Sequence, residues 1–224
     1  MDVRLISYSQ GISTNAAEKA ENVGDLVAYC ARVSNPENQS NKETNRRLLR
    51  YLIKHKHWSP FEMVNVCLEV TTTRDIARQL LRHRSFSFQE YSQRYASVAD
   101  LDNDFVIRDC RLQDLTNRQN SIKNTDTGLE VWWHQKQEWL IDQVKLIYQE
   151  ALERGIAKEQ ARAILPEGNT VSRLYVNGTL RSWVHYLELR TANGTQQEHM
   201  DLAVEVAKVI TQVFPDVGEY IKED

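Results

Sequence analysis

Ten consecutive residues narrow the fold more than any other part of this chain. In Phe61-Glu-Met-Val-Asn-Val-Cys-Leu-Glu-Val70, Val64, Val66, Leu68 and Val70 point one way and Asn65, Cys67 and Glu69 the other. A two-residue period makes a β-strand with one buried and one wet face, the pattern of antiparallel rather than parallel sheet. The period then changes. In Thr73-Arg-Asp-Ile-Ala-Arg-Gln-Leu-Leu-Arg82, Ile76, Ala77, Leu80 and Leu81 recur at helical spacing, so a buried helix follows the strand almost at once. A chain with both patterns belongs to the α+β class, helices packed on a mainly antiparallel sheet.

The other segments fit that frame. Val3–Tyr8 reads as a short strand. Residues 22–34 and 43–55 read as helices, the second with Leu48, Leu49, Leu52 and Ile53 on one face. Residues 101–126 form a polar, irregular stretch. A long helix is expected from Leu129 to Arg154, a short one over Lys158–Ile164, and a last one over Gln197–Phe214 with Val204, Ala207, Ile210 and Val213 in step. There is no internal repeat, low-complexity tract or linker, so residues 1–224 are expected to form a single domain.

Charge and cysteine usage exclude several function classes. A net charge of −3 argues against a general nucleic-acid coat or a membrane-surface protein. No apolar run is long enough to span a bilayer, and Met1-Asp-Val-Arg-Leu-Ile6 lacks the layout of a signal peptide. Cys30, Cys67 and Cys110 are widely spaced and odd in number, which points to neither a disulfide framework nor a metal site. A cytoplasmic protein is expected.

Against that acidic background, Arg82, His83 and Arg84 stand together, followed by Ser87, Ser92 and Arg94. Guanidinium groups are planar forks that fit phosphate and carboxylate oxygens two at a time. Arg-rich runs are most often solvated faces. This one continues from the end of a buried helix into a Ser-, Gln- and aromatic-rich loop, and such an anchor suits a site for a phosphate-bearing ligand. Two other clusters carry related chemistry. Lys54-His-Lys-His-Trp-Ser-Pro-Phe-Glu62 holds two histidines, but no companion ligand at metal spacing, so no metal is expected. In Thr179–Arg190, read as a helix, Arg181, His185 and Arg190 come near one another on a partly polar side.

Taken together these clusters resemble a known family. Arg82 to Arg94 fits RHRxxSxxxxSxR, the signature of the flavin-dependent thymidylate synthases. His57-Trp-Ser-Pro-Phe-Glu62 is similar to that family's HxxPFE element, Arg162-Ala-Ile-Leu-Pro166 to its RxxLP, Arg181–Arg190 to its RSxxxxxxLR, and Gln196-Gln-Glu198 to its QxE. The resemblance implies a homotetramer with active sites where subunits meet. It implies methylation of dUMP to dTMP, with methylenetetrahydrofolate as carbon donor, FAD as hydride carrier and NADPH as reductant. Carried over by position, His57, Ser59, Arg82, His83, Arg84, Glu90, Thr179, Arg181 and His185 would meet the flavin. Gln79, Arg82, Glu90, Ser92, Arg94, Arg162 and Arg190 would surround the nucleotide. Arg190 is the expected catalytic residue: held against the uracil imide, a permanent cation stabilises the ionised ring and raises electron density at the carbon to be methylated. Ser92 reads better as a phosphate-binding hydroxyl than as a nucleophile, since Glu90 is the one base near it in sequence.

The sequence departs from the family pattern at Met63, Thr179 and Gly194, where His, Asn and His are frequent, so weaker flavin retention is expected. Two other classes compete with the enzyme. One is a nucleic-acid module using the arginines on phosphates and Phe86, Phe88, Tyr91 and Tyr95 on bases. The other is a flavoprotein that has lost turnover.

Overall fold

The computed structural model describes residues 1–12, 20–97 and 104–220. In chain order the elements are β1 (Asp2–Tyr8), α1 (Val23–Ala31), α2 (Asn45–Lys54), β2 (Asn65–Thr73), α3 (Arg74–Leu80), β3 (Phe86–Glu90), β4 (Arg111–Gln113), β5 (Ser121–Lys123), α4 (Thr127–Glu153), α5 (Lys158–Ala161), β6 (Val171–Thr179), α6 (Leu180–Arg190) and α7 (Gln197–Ile210). Four strands form one sheet in the order β1-β2-β6-β3, every neighbouring pair antiparallel, while β4 and β5 make a separate hairpin.

The alternation in β2 does what its spacing requires. Val66, Leu68 and Val70 are buried under the helices, together with Leu174 and Val176 of β6, while Asn65 on β2 and Tyr175 and Asn177 on β6 face outward. Against that face pack Ile76, Ala77 and Leu80 of α3, Leu180, Trp183, Val184 and Leu187 of α6, and Leu202, Ala203 and Val206 of α7, all in one continuous core. Trp183 is wholly buried, and its indole N–H donates to the Val66 carbonyl at 3.0 Å, so its polar handle is satisfied inside the core.

Three expectations need correction. The stretch after Arg82 is not all loop, because Phe86–Glu90 pairs with β6 as an edge strand. Its inward residues are Phe86, Phe88 and Glu90, and a carboxylate in that series hides the apolar period. Val171–Thr179 is a central strand, although no strand was expected there. Its inward positions include Ser172 and Gly178, which break the pattern. Gly178 is needed, since a Cβ there would stand 2.2 Å from the Phe86 ring. The polar stretch from 101 onward is irregular except for the β4–β5 hairpin and a bridge from Phe105 to Thr170, and residues 101–103 lie outside the described part.

Candidate functional site

The register of β2 against β6 decides where the site forms. Asn65 faces Thr179 at one end of the pair and Thr73 faces Val171 at the other. The α3 helix starts directly after Thr73 and α6 directly after Thr179, so the two helices set out from opposite ends of one ladder, on the same face. Nine paired residues at about 3.3 Å each span roughly 30 Å. Helices of 7 and 11 residues at about 1.5 Å each cover about 27 Å between them. The segment that leaves α3 reaches the C-terminal end of α6, and there Arg190 Nε donates to His83 Nε2 at 3.0 Å.

That contact fixes both side chains. Because its Nε2 accepts, neutral His83 carries its proton on Nδ1. Burial, and then the Arg190 charge, push the His83 pKa down to about 4. Burial lowers the Arg190 pKa too, with a further push from Arg82 and an opposing effect of Tyr186, but a guanidinium stays charged. Among the described residues Arg190 makes no other hydrogen bond, so the Nη edge of its fork is free. Tyr186 lies edge-on to the His83 ring, centroids 5.1 Å apart.

The α7 helix brings a residue that sequence reasoning missed. His199 is wholly buried, its Nδ1 lies 3.1 Å from Gln79 Oε1, and burial followed by the charge of Arg190 and the nearby His83 lowers its pKa to about 3. The available signal was its place in the apolar stripe it shares with Leu202, Ala203, Val206 and Ile210. Gln79 Nε2 donates to Gln196 Oε1 at 2.7 Å, and Gln196 Nε2 to Glu198 Oε2 at 2.9 Å. Glu198 also pairs with Arg111 and, at 3.3 Å, with Arg108. A cavity of about 720 Å³ between the β4–β5 hairpin, α4 and the start of α7 reaches Gln196 and Glu198; the Arg82–Arg84 run is outside its lining.

The remaining expected residues fall into two further groups. Glu90 accepts from Ser172 Oγ at 2.8 Å, and Arg74 is close enough to feel the charges of both Glu90 and Arg162. Arg94 Nε lies 3.5 Å from Glu159 in α5, the turn of helix that leads into Arg162, and the Arg94 backbone N–H donates to Ser92 Oγ at 3.4 Å. On the other side of α6, Arg181 pairs with Glu62 and His185 lies edge-on to Trp58, centroids 4.4 Å apart. Ser59 opens the 3-10 turn that carries Glu62. His57 is turned into place by Lys56, whose φ of +58° ends α2 in a left-handed step, so that His57 N–H donates to the Leu52 carbonyl at 2.8 Å.

Arg181, His185 and Arg190 do not share one side of α6, contrary to expectation. Four residues at about 100° each bring Arg181 and His185 within about 40° of one another, whereas five more turn Arg190 about 140° away. Two of the family departures have local causes. The Thr179 hydroxyl caps α6, accepting from the Ser182 N–H at 3.3 Å, and Gly194 adopts φ +87°, a backbone conformation that favours glycine.

The donor set suits a group with phosphates and a planar ring. Arg82 and Arg84 are exposed and have no ion-pair partner among the described residues. His83 offers an N–H at Nδ1, and Trp58 and His185 supply flat surfaces. Among the described residues no three His, Cys, Asp or Glu side chains gather as a metal would need.

Comparison with known proteins gives a consistent picture. The family described as thymidylate synthase complementing protein matches residues 17–216. The "Probable flavin-dependent thymidylate synthase" of Paramecium bursaria Chlorella virus 1 is 48% identical over 221 residues, 98% of each chain. The flavin-dependent thymidylate synthase of Synechocystis sp. is 45% identical over 218 residues, 97% of this chain and 98% of that one. A solved structure of the UMP/dUMP methylase PolB from Streptomyces cacaoi, bound with 5-Br dUMP, superposes with a TM-score of 0.79 at 27% identity, over 98% of this chain and 93% of that one.

Proposed function

Since the chain belongs to the flavin-dependent thymidylate synthase family and forms dTMP from dUMP with methylenetetrahydrofolate, FAD and NADPH, we propose that Arg190, held by His83, is the group that activates the uracil ring. The observation that carries this reading is the 3.0 Å hydrogen bond from Arg190 Nε to His83 Nε2. It leaves the two Nη groups to face the O–C–N edge of the imide as a fork. A cation there favours the ionised ring without taking a proton itself, and removal of one such electrostatic contact costs about 10²–10³ in rate.

The other residues bind and orient. Arg94 and Arg162, with the Ser92 hydroxyl, suit the dianionic phosphate, and Gln79, Arg82 and Glu90 complete the nucleotide site. His57, Ser59, Arg82, His83, Arg84, Glu90, Thr179, Arg181 and His185 would hold the flavin. When bound, FAD supplies the reducing equivalents for the transferred one-carbon unit and is recharged by NADPH. No protein nucleophile is needed.

In the same reading the whole chain is one such domain and assembles as a homotetramer in the cytoplasm, where Cys30, Cys67 and Cys110 stay as free thiols. The exposed face of α4 supports assembly. Trp132, Trp139 and Leu146 recur at seven residues, and Trp133, Leu140 and Ile147 do so beside them, all left open to water in the single chain. A stripe of that period is what a second helix covers.

The test is dTMP formation from dUMP, methylenetetrahydrofolate, NADPH and FAD, followed by mass spectrometry, with Arg190→Ala beside the wild type. Product from the wild type and a loss of about 10³ in kcat for the variant, with FAD retained, is expected. Equal turnover in the two would remove Arg190 from the chemistry. A yellow protein that makes no dTMP would favour the flavoprotein without turnover, and tight, steeply salt-dependent binding of oligonucleotides would favour the nucleic-acid module.

A further inference from the structure

We propose that Glu198 is a positioning residue: through Gln196 its carboxylate fixes the direction of the Gln79 side-chain amide, so that Gln79 offers the nucleotide a hydrogen-bond donor. The inference rests on the reading that Gln79 touches dUMP, and adds what sets the polarity of that contact.

A carboxylate only accepts hydrogen bonds. Glu198 Oε1 takes Arg111 and Arg108, and Oε2 takes Gln196 Nε2 at 2.9 Å. Burial raises the Glu198 pKa, but the hydrogen bonds from Gln196 and Arg111 and the charge of Arg108 outweigh it and hold the carboxyl below its usual range. The charge therefore stays in place at working pH. Because Gln196 spends its amide nitrogen on Glu198, its Oε1 turns to Gln79, whose Nε2 donates at 2.7 Å. Gln79 Oε1 is then left facing His199 Nδ1 at 3.1 Å, and an amide oxygen only accepts, so the histidine proton sits on Nδ1.

Each link has one donor and one acceptor, and reversing any one sets two like groups face to face. The anion at one end thus dictates the tautomer of a wholly buried histidine at the other. It also dictates what Gln79 shows the substrate. Of the two hydrogens on Gln79 Nε2, Gln196 takes one and the second remains. That hydrogen matches a carbonyl, hydroxyl or phosphate oxygen and mismatches an amino group.

The experiment uses the FAD-loaded enzyme with ¹⁵N-labelled histidine rings. Long-range ¹H–¹⁵N spectra read the His199 tautomer, and steady-state kinetics read KM and kcat for dUMP. Two variants cut the relay, Glu198→Gln, which can donate as well as accept, and Gln196→Ala. The second side chain is exposed, so its loss leaves the core and the Arg108–Glu198–Arg111 pairs intact. The wild type should hold His199 as the Nδ1–H form alone. Both variants should mix the tautomers and raise KM for dUMP about 5- to 10-fold, the worth of one neutral hydrogen bond, with kcat changed less than about twofold.

An unchanged tautomer in both variants overturns the relay, as does a mixed tautomer with unchanged KM. Gln79→Ala separates this from the underlying reading. If that variant also leaves KM unchanged, Gln79 is not a nucleotide contact. If it raises KM while the relay variants do not, the contact stands and the relay fails.

Discussion

Replacing His199 with glutamine should remove a specific part of the protein's sensitivity to mild acid. His199 and His83 are held neutral in the fold, with pKa values pushed down to about 3 and about 4, by burial first and then by the Arg190 charge. In the unfolded chain both return to about 6.5. The sign follows from the folded values lying below the unfolded ones. Between pH 6.5 and about 4 the unfolded state binds protons that the native state refuses, so stability falls as pH falls. From pH 7 to pH 5 each such histidine costs about 2 kcal/mol by linkage. His83 is only half-buried, so screening halves its share, and the two together cost about 3 kcal/mol. Carboxylates titrate mainly below this window. Urea unfolding at pH 7 and pH 5, at fixed subunit and FAD concentrations, should show the wild-type midpoint falling by about 1–1.5 M. His199→Gln keeps an amide donor for Gln79 Oε1 but does not titrate, and should lose about 2 kcal/mol less over the same range. Equal losses in the two proteins would mean that His199 is charged in the native state, which the burial argument forbids.

Three further outcomes are expected. Gly178→Ala puts a Cβ 2.2 Å from the Phe86 ring and should destabilise the fold by about 2–3 kcal/mol, seen as a lower Tm; an unchanged Tm would mean that β3 is not packed against β6 as described. Lys56→Gly relieves a left-handed residue at φ +58° and should add about 1 kcal/mol to stability by urea titration, whereas a loss would show that the lysine side chain matters more than its backbone. Trp139→Glu puts a charge on the α4 stripe, at a residue 63% exposed in the single chain, and should shift sedimentation toward smaller species if the chain assembles as proposed; wild-type sedimentation would mean that the stripe is not a subunit contact.

Much of the fold was legible in the sequence because it is local. Val64, Val66, Leu68 and Val70 alternate and are all buried, and the helices expected at 22–34, 43–55 and Leu129–Arg154 form within a few residues of those limits. What escaped is non-local. Ser172 and Glu90 both point inward, where they hydrogen-bond each other across the β3–β6 pair, and each spoils the apolar pattern of its own strand. Two polar residues that satisfy one another look, in one dimension, like two loops. The site behaves in the same way. The arginine run and its flanking hydroxyls could be read directly, whereas the meeting of α3 and α6 depends on a nine-residue register between strands about a hundred residues apart.

Residue type alone does not separate Arg190 from the other arginines, but their partners in the fold do. Arg181 is paired with Glu62, Arg78 with Glu167, and Arg108 and Arg111 with Glu198. In each of these a carboxylate fixes the guanidinium and cancels most of its charge at the same time. Arg82 and Arg84 keep their charge but are exposed, and nothing among the described residues fixes their direction. Arg190 has both properties. Its Nε is anchored at 3.0 Å by an imidazole that burial keeps neutral, so the fork is aimed without being neutralised. The ends of α3 and α6, where backbone carbonyls point outward, favour a cation in that place. A protonated His83 could not accept from Arg190, and a carboxylate in its stead would quench the charge that the proposed ring activation requires. The neutral histidine is therefore as much a part of the electrostatic arrangement as the arginine it holds.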